Sequence, residues 1–284
     1  MANPLNIALV GTENSHADGI VDYLNVTRSS TAAQIVALVG DDSERNRSLA
    51  AKGGIPRIVP TSKELIGSVD ALIVTNRDGG LHREHAVPFL EAGIPVWVDK
   101  PLACSVEDAQ AIVDAAIGSS TPVTSYSPVR WVPDTERLVS DADAAKIGEL
   151  QTVTIMGSAD PASEYGGIFF YGIHAADVAQ RLAPGEFGPV RVERVGDTIV
   201  VRYLSGGVLV TLQLVRPEEP ARVPFHGTVV GRHGIVSRDL VLDQGYVGPG
   251  LEVFLTMMAT GTPPLAYEDL LKPIWVMEQV RKAL

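Results

Sequence analysis

Over about the first 125 residues, short apolar runs alternate with longer amphipathic stretches. Residues 5–10 (LNIALV) form a nearly continuous apolar run that stops at Gly11, and a 3.6-residue period follows over 16–26. The pattern then repeats. It predicts strands at 34–39, 58–59, 69–75, 96–98 and 123–126, and helices at 43–52, 81–92 and 106–116. Gly53-Gly54 and Gly93 stand where two of these helices should stop. Strands that alternate with helices of ten or more residues imply a parallel, doubly wound sheet.

After about Ser127 the pattern changes. Helices are expected at 134–145 and 171–182, a strand at 149–156, and mostly strands from 190 to 230. Ser205-Gly206-Gly207 lies between two apolar runs and reads as a hairpin turn, as does Gly231-Arg232-His233-Gly234. Two helices, 251–260 and 268–284, close the chain. The expected fold class is therefore α/β: a Rossmann-type domain over 1–126, followed over 127–284 by an α+β domain with an open antiparallel sheet.

Composition narrows the function classes. The chain has 284 residues, 45% hydrophobic and 20% charged, which fits a soluble globular protein. It contains no apolar run near the roughly 18 residues a membrane helix needs, and its first residues lack the pattern of a secretory signal. Cys104 is the only cysteine, so no intrachain disulfide can form and a reducing, cytoplasmic location is expected. A net charge of −11 with scattered Lys and Arg argues against a nucleic-acid partner.

The most informative local pattern is Asp99-Lys100-Pro101 directly after the run 96–98. In open parallel sheets ligands bind just outside the carboxyl ends of the strands, which makes Lys100 a cation at a binding cleft. A buried lysine can have its pKa lowered into the working range. His174 is a second candidate, because imidazole titrates near neutrality. Asp177 follows three residues later and shares its helix face.

The ordered set 76–82, Asp99-Lys100-Pro101, Arg130-Trp131-Val132-Pro133, Ile147-Gly148-Glu149 and Gly172-Ile173-His174 with Asp177 resembles the Gfo/Idh/MocA oxidoreductases over nearly the whole chain. The resemblance implies an NAD- or NADP-dependent enzyme that moves a hydride to or from a hydroxyl or keto carbon of a sugar or polyol. It implies Lys100 and His174 as the acid/base pair, with Asp177 orienting the histidine or binding substrate and Tyr171 as a further donor. It implies cofactor contacts at Gly11, Thr12, Asn14, Ser15, Asp41, Thr75, Asn76, His82, Asp99 and Arg130. It also implies a homodimer or homotetramer formed through the second domain's sheet. No metal is expected.

Three departures from that pattern are visible. The dinucleotide fingerprint Gly-x-Gly-x-x-Gly reads Gly11-Thr12-Glu13-Asn14-Ser15-His16, with only its first glycine kept. A carboxylate about 5 Å from a phosphate, at an effective dielectric of about 20, costs about 3 kcal/mol, so Glu13 weakens binding unless it turns away. The acid expected at the end of the second strand is replaced by Gly40, followed by Asp41 and Asp42, which favour NAD over NADP, with Arg45 as a partial counterweight. Four residues before His174, where many relatives carry Asp, stands Phe170. The alternatives are a scaffold that binds or senses a ligand, and a non-redox lyase or epimerase. His16, His85, Cys104, Trp131 and Trp275 read as packing or surface residues, and Arg130 fits an interdomain ion pair as well as a phosphate contact.

Overall fold

The computed structural model describes residues 3–41, 43–218 and 222–284. The chain divides into two compact units: one holds the chain up to Tyr126 together with Gly245–Leu270, the other Ser127–Gln244 with Leu271–Leu284. A single cut after residue 126 leaves out that return of the C-terminal segment, which no composition change announces.

The first unit is built on a six-stranded, all-parallel sheet of order β3-β2-β1-β4-β5-β6. Its strands are β1 (Leu5–Val10), β2 (Ala33–Val39), β3 (Arg57–Val59), β4 (Ala71–Val74), β5 (Val96–Val98) and β6 (Val123–Ser125). The central strands β4 and β5 are buried along their whole length, which is why their sequences lack alternation. The helices are α1 (Ser15–Val21), α2 (Glu44–Gly53), α3 (His82–Glu91) and α4 (Val106–Ser119). Short polar side chains start three of them: Asn14, Ser43 and Ser105 each accept a backbone N–H of the first turn. The single helix expected over 16–26 is instead α1 followed by a wider π-type turn, Asp22–Val26. The helix Gly248–Thr260 belongs to this unit too, and its Phe254 ring lies 5.7 Å from that of Trp97 on β5.

The second unit carries helices α5 (Pro133–Asp141), α6 (Ala144–Ile147) and α7 (Phe169–Leu182). Its strands are β7 (Leu150–Ser158), β8 (Arg191–Val195), β9 (Thr198–Ser205), β10 (Val208–Val215), β11 (His226–Gly231) and β12 (Ile235–Asp239). They form an open sheet of order β12-β11-β7-β10-β9-β8. This sheet is mixed, which corrects the expectation of an antiparallel one: β7 and β10 run parallel, from Leu209 opposite Thr152 to Val215 opposite Ser158. The connection between them passes through α7 and the β8–β9 hairpin, long enough to return the chain in the same direction. Val153, Ile155, Val201, Tyr203, Val210, Leu212 and Val229 are buried on one face of the sheet. The alternate positions, Leu204, Leu209 and Ile235 among them, are exposed.

Candidate active site

In the first unit the loops at the carboxyl ends of β1, β4 and β5 interlock. Gly11 adopts φ +86, and a Cβ on it would lie 2.1 Å from the Asn76 nitrogen, so only glycine lets the end of β1 pass the end of β4 this closely. Thr75 fixes that approach by donating its hydroxyl to the carbonyls of Val10 (2.7 Å) and Gly11 (3.0 Å). Asn14 caps α1 by accepting the His16 N–H, and its Nδ2 donates to the Thr75 carbonyl at 3.0 Å. The Thr12 hydroxyl bonds Asn46 Oδ1. The side chains of Thr12, Asn14 and Thr75, expected as cofactor contacts, all hold the loops together. Ser15, the first residue of α1, is exposed.

His16, which replaces the third glycine of the fingerprint, is not a simple packing residue. Its Nδ1 lies 2.6 Å from Asp99 Oδ2, both residues are buried, and the Tyr246 ring meets it edge-on at 5.5 Å. Burial raises the Asp99 pKa, but the His16 charge and hydrogen bond, with Lys100, outweigh it and hold the carboxyl below its usual value. Lys100 is only 4% exposed, and burial lowers its pKa against the pull of Asp99. That is the environment in which a lysine can exchange a proton near neutral pH.

The Lys100–Pro101 peptide is cis, and His82 grips its far side. The wholly buried His82 ring lies between the Pro101 carbonyl (2.7 Å from Nδ1) and the Asn76 carbonyl (2.9 Å from Nε2). It thus ties the β4 loop to the β5 loop that carries Lys100. Replacing it, His82→Leu, is expected to destabilise the protein by about 2 kcal/mol, because the buried carbonyl that accepts the neutral ring's single N–H loses its donor; denaturant unfolding measures this, and a loss below about 0.5 kcal/mol would contradict it. Burial also lowers the His82 pKa. The stability tied to its neutral form is present above the ordinary histidine value of about 6.5 and is lost as pH falls toward the lowered one. The fall in stability between pH 7 and 5 is therefore expected to be shallower in His82→Leu than in wild type.

Glu13 is exposed, and its Oε1 accepts the Arg77 N–H at 3.0 Å. Arg45 bonds both Asp18 oxygens (2.8 and 2.5 Å) and the Thr12 carbonyl (2.9 Å). It is thus engaged within the loop, which corrects its expected role as counterweight to the acids after β2. Asp41 is exposed, and Asp42 lies outside the described residues. The Asn76 Oδ1 atom is buried with no hydrogen-bond partner among the described residues. Cys104 is a packing residue: burial and Asp78 push its pKa up to about 12, so a thiolate does not form.

In the second unit, α7 carries a buried polar stripe, His174, Asp177 and Gln180, on a helix whose other polar side chains are Tyr171 and Arg181. The three-residue spacing aims these groups at one segment, Ser127–Arg130, whose turn Ser127 caps. His174 Nδ1 meets the Ser127 hydroxyl at 2.6 Å. Asp177 Oδ2 accepts the Ser127 N–H at 2.9 Å, and its Oδ1 takes Arg130 at 3.0 Å. Arg130 also bonds the Asp177 carbonyl and Gln180 Oε1, both at 2.9 Å. Arg130 is thereby an internal tie of this unit, and the Asp177 carboxylate grips Ser127 and Arg130. Tyr171 and Phe225 flank His174 with ring centroids at 5.9 and 5.1 Å. Sequence reading missed Ser127 and the His16–Asp99 pair, because no local spacing marks contacts 47 and 83 residues apart.

A parallel βαβ sheet with a buried Asp-Lys pair at a strand's carboxyl end defines a class, the Rossmann-fold proteins that handle a charged ligand there. The comparisons agree. Residues 5–126 match the Gfo/Idh/MocA family model, described as "Oxidoreductase family, NAD-binding Rossmann fold". Over 114 residues the chain is 40% identical to inositol 2-dehydrogenase 3 of Saccharopolyspora erythraea, a match that covers 39% of this chain and only 32% of that protein. A dehydrogenase from Chromobacterium violaceum superposes with a TM-score of 0.83 at 19% identity, covering 100% of this chain and 96% of the other. An oxidoreductase from Agrobacterium radiobacter, solved in complex with NAD+, L-tartaric acid and magnesium, does so with a TM-score of 0.80 at 17% identity, covering 98% and 96%. These two likenesses show the fold.

Proposed function

We propose that the protein is an NAD-dependent oxidoreductase acting on a hydroxyl or keto carbon of a sugar- or polyol-like molecule. The observation that carries this reading is the buried Asp99-Lys100 pair at the end of β5, held by His16 and His82 within a fold of the NAD-binding family. The relative named as an inositol dehydrogenase supports a polyol as substrate class.

The residues present fit a dinucleotide. Asn76 Oδ1 is a buried acceptor without a donor among the described residues, next to Gly11 in the loop pair where the ligand of such a sheet binds. Gly11, Ser15, Asn76, Asp41 and Asp99 are the residues assigned to hold it. Exposed Asp41, together with an Arg45 already bound to Asp18, disfavours a 2′-phosphate and points to NAD rather than NADP. When bound, the nicotinamide supplies a site that takes or gives hydride. Lys100 polarises the reacting oxygen and exchanges a proton with it, and Asp99 orients Lys100. His174 is assigned as a second acid–base group. The test is a screen of inositols, sugars and sugar acids with NAD+ and NADP+, read as reduced-nicotinamide absorbance. NAD+-linked turnover of a polyol supports the assignment, and a lack of turnover across the set, with cofactor bound, opposes it.

The open sheet face, with Leu204 52% and Ile235 68% exposed, is assigned to a second copy of the chain, giving a homodimer or homotetramer. The single cysteine supports a cytoplasmic protein. Glu13 favours a second reading, a scaffold that binds a ligand without a dinucleotide.

A further inference from the structure

We propose that Ser127 is a positioning residue that sets the tautomer of His174, so that the neutral ring carries its proton on Nε2. The argument rests on counting donors and acceptors at one buried hydroxyl. Ser127 is 1% exposed. Its Oγ accepts the Val129 N–H at 3.0 Å, a bond whose direction is fixed because the backbone nitrogen can only donate. Its other partner is His174 Nδ1 at 2.6 Å. A hydroxyl has one proton to donate, and among the described residues no second acceptor stands within reach of Ser127 Oγ. If His174 carried its proton on Nδ1, both neighbours would donate to Oγ and the hydroxyl proton would be buried without an acceptor, an arrangement native interiors avoid. With the proton on Nε2, the hydroxyl donates to the Nδ1 lone pair, and the Ser127 hydroxyl has both an acceptor and a donor.

The serine is itself held. Asp177 Oδ2 accepts its N–H at 2.9 Å, and Arg130 fixes that carboxylate at 3.0 Å. The ring faces of His174 are packed near Tyr171 and Phe225. The chain Arg130–Asp177–Ser127–His174 therefore acts on one ring nitrogen, and it gives Asp177 a route by which to orient His174, through Ser127. The consequence deepens the proposed function and rests on it. A neutral His174 with the proton on Nε2 offers a hydrogen-bond donor to a substrate oxygen through that nitrogen, and it does not accept a proton there.

The experiment is long-range 1H–15N correlation on the full chain labelled in its histidines, with the His174 signals identified by their loss in His174→Asn. In wild type, at a pH where His174 is neutral, a protonated Nε2 and an unprotonated Nδ1 are expected as two widely separated nitrogen resonances. In Ser127→Ala the two should draw together as the tautomers mix, and Ser127→Thr should restore the wild-type pattern. A protonated Nδ1 in wild type, or an unchanged pattern in Ser127→Ala, overturns the proposal. If Ser127→Ala does not fold, the wild-type spectrum alone decides. Turnover is read separately: wild-type rates in His174→Asn would remove His174 from the reaction while leaving the tautomer result to stand by itself.

Discussion

Lys100→Met is expected to lower turnover about a thousandfold, the middle of the range for removing an acid–base group, while leaving the fold intact. The second half of this expectation follows from burial. Lys100 is 4% exposed, and its charged form is disfavoured there. Methionine keeps the apolar stem and removes the group that resists burial, so the melting temperature should be unchanged or slightly higher. Asp99 retains His16 at 2.6 Å and is not left as a lone buried charge. Steady-state rates on the polyol turned over by wild type, with a thermal melt beside them, check both parts. Wild-type turnover in Lys100→Met would remove the proposed mechanism, and an unfolded variant would show Lys100 to be structural.

Arg130→Leu is expected to act on stability instead, by about 3–5 kcal/mol, the usual penalty for breaking a buried ion pair from one side. The guanidinium supports the Asp177 carbonyl, Asp177 Oδ1 and Gln180 Oε1, all inside the second unit. Its loss leaves a carboxylate 7% exposed at the side chain with only the Ser127 N–H. Burial already raises the Asp177 pKa against the pull of Arg130, and without Arg130 it rises further. A carboxyl raised in the folded state contributes stability at low pH and loses it as pH climbs through the raised value. The deficit of the variant should therefore be larger at pH 8 than at pH 5. Urea unfolding at both pH values measures it, and a deficit under about 1 kcal/mol at pH 8 would show that the pair is not a structural tie.

The parallel sheet was legible because β1, β4 and β5 are buried on both faces and appear as unbroken apolar runs between helix caps. The parallel pairing of β7 with β10 was not, since an alternating strand looks the same whichever direction its neighbour runs. Nor was the assignment of Gly245–Leu270 to the first unit, a matter of long-range packing. At the candidate site, Lys100 and His174 stood out through their chemistry and their place at a strand end or on a helix face. Asp177 stood out by its spacing from His174, but two of the residues that hold the site did not: His16 looked like a damaged fingerprint, and Ser127 carried no local signal. Each makes its decisive contact with a residue distant in sequence.

The altered Gly11–His16 loop puts the central claim at risk, and calorimetric titration of the purified chain with NADH and NADPH tests it most directly. The account predicts micromolar binding of NADH and weaker binding of NADPH, because Glu13 accepts the Arg77 N–H and Arg45 is held by Asp18. Absence of heat and of nicotinamide fluorescence change with either nucleotide at millimolar concentration would contradict it, and would favour the reading of the protein as a ligand-binding scaffold.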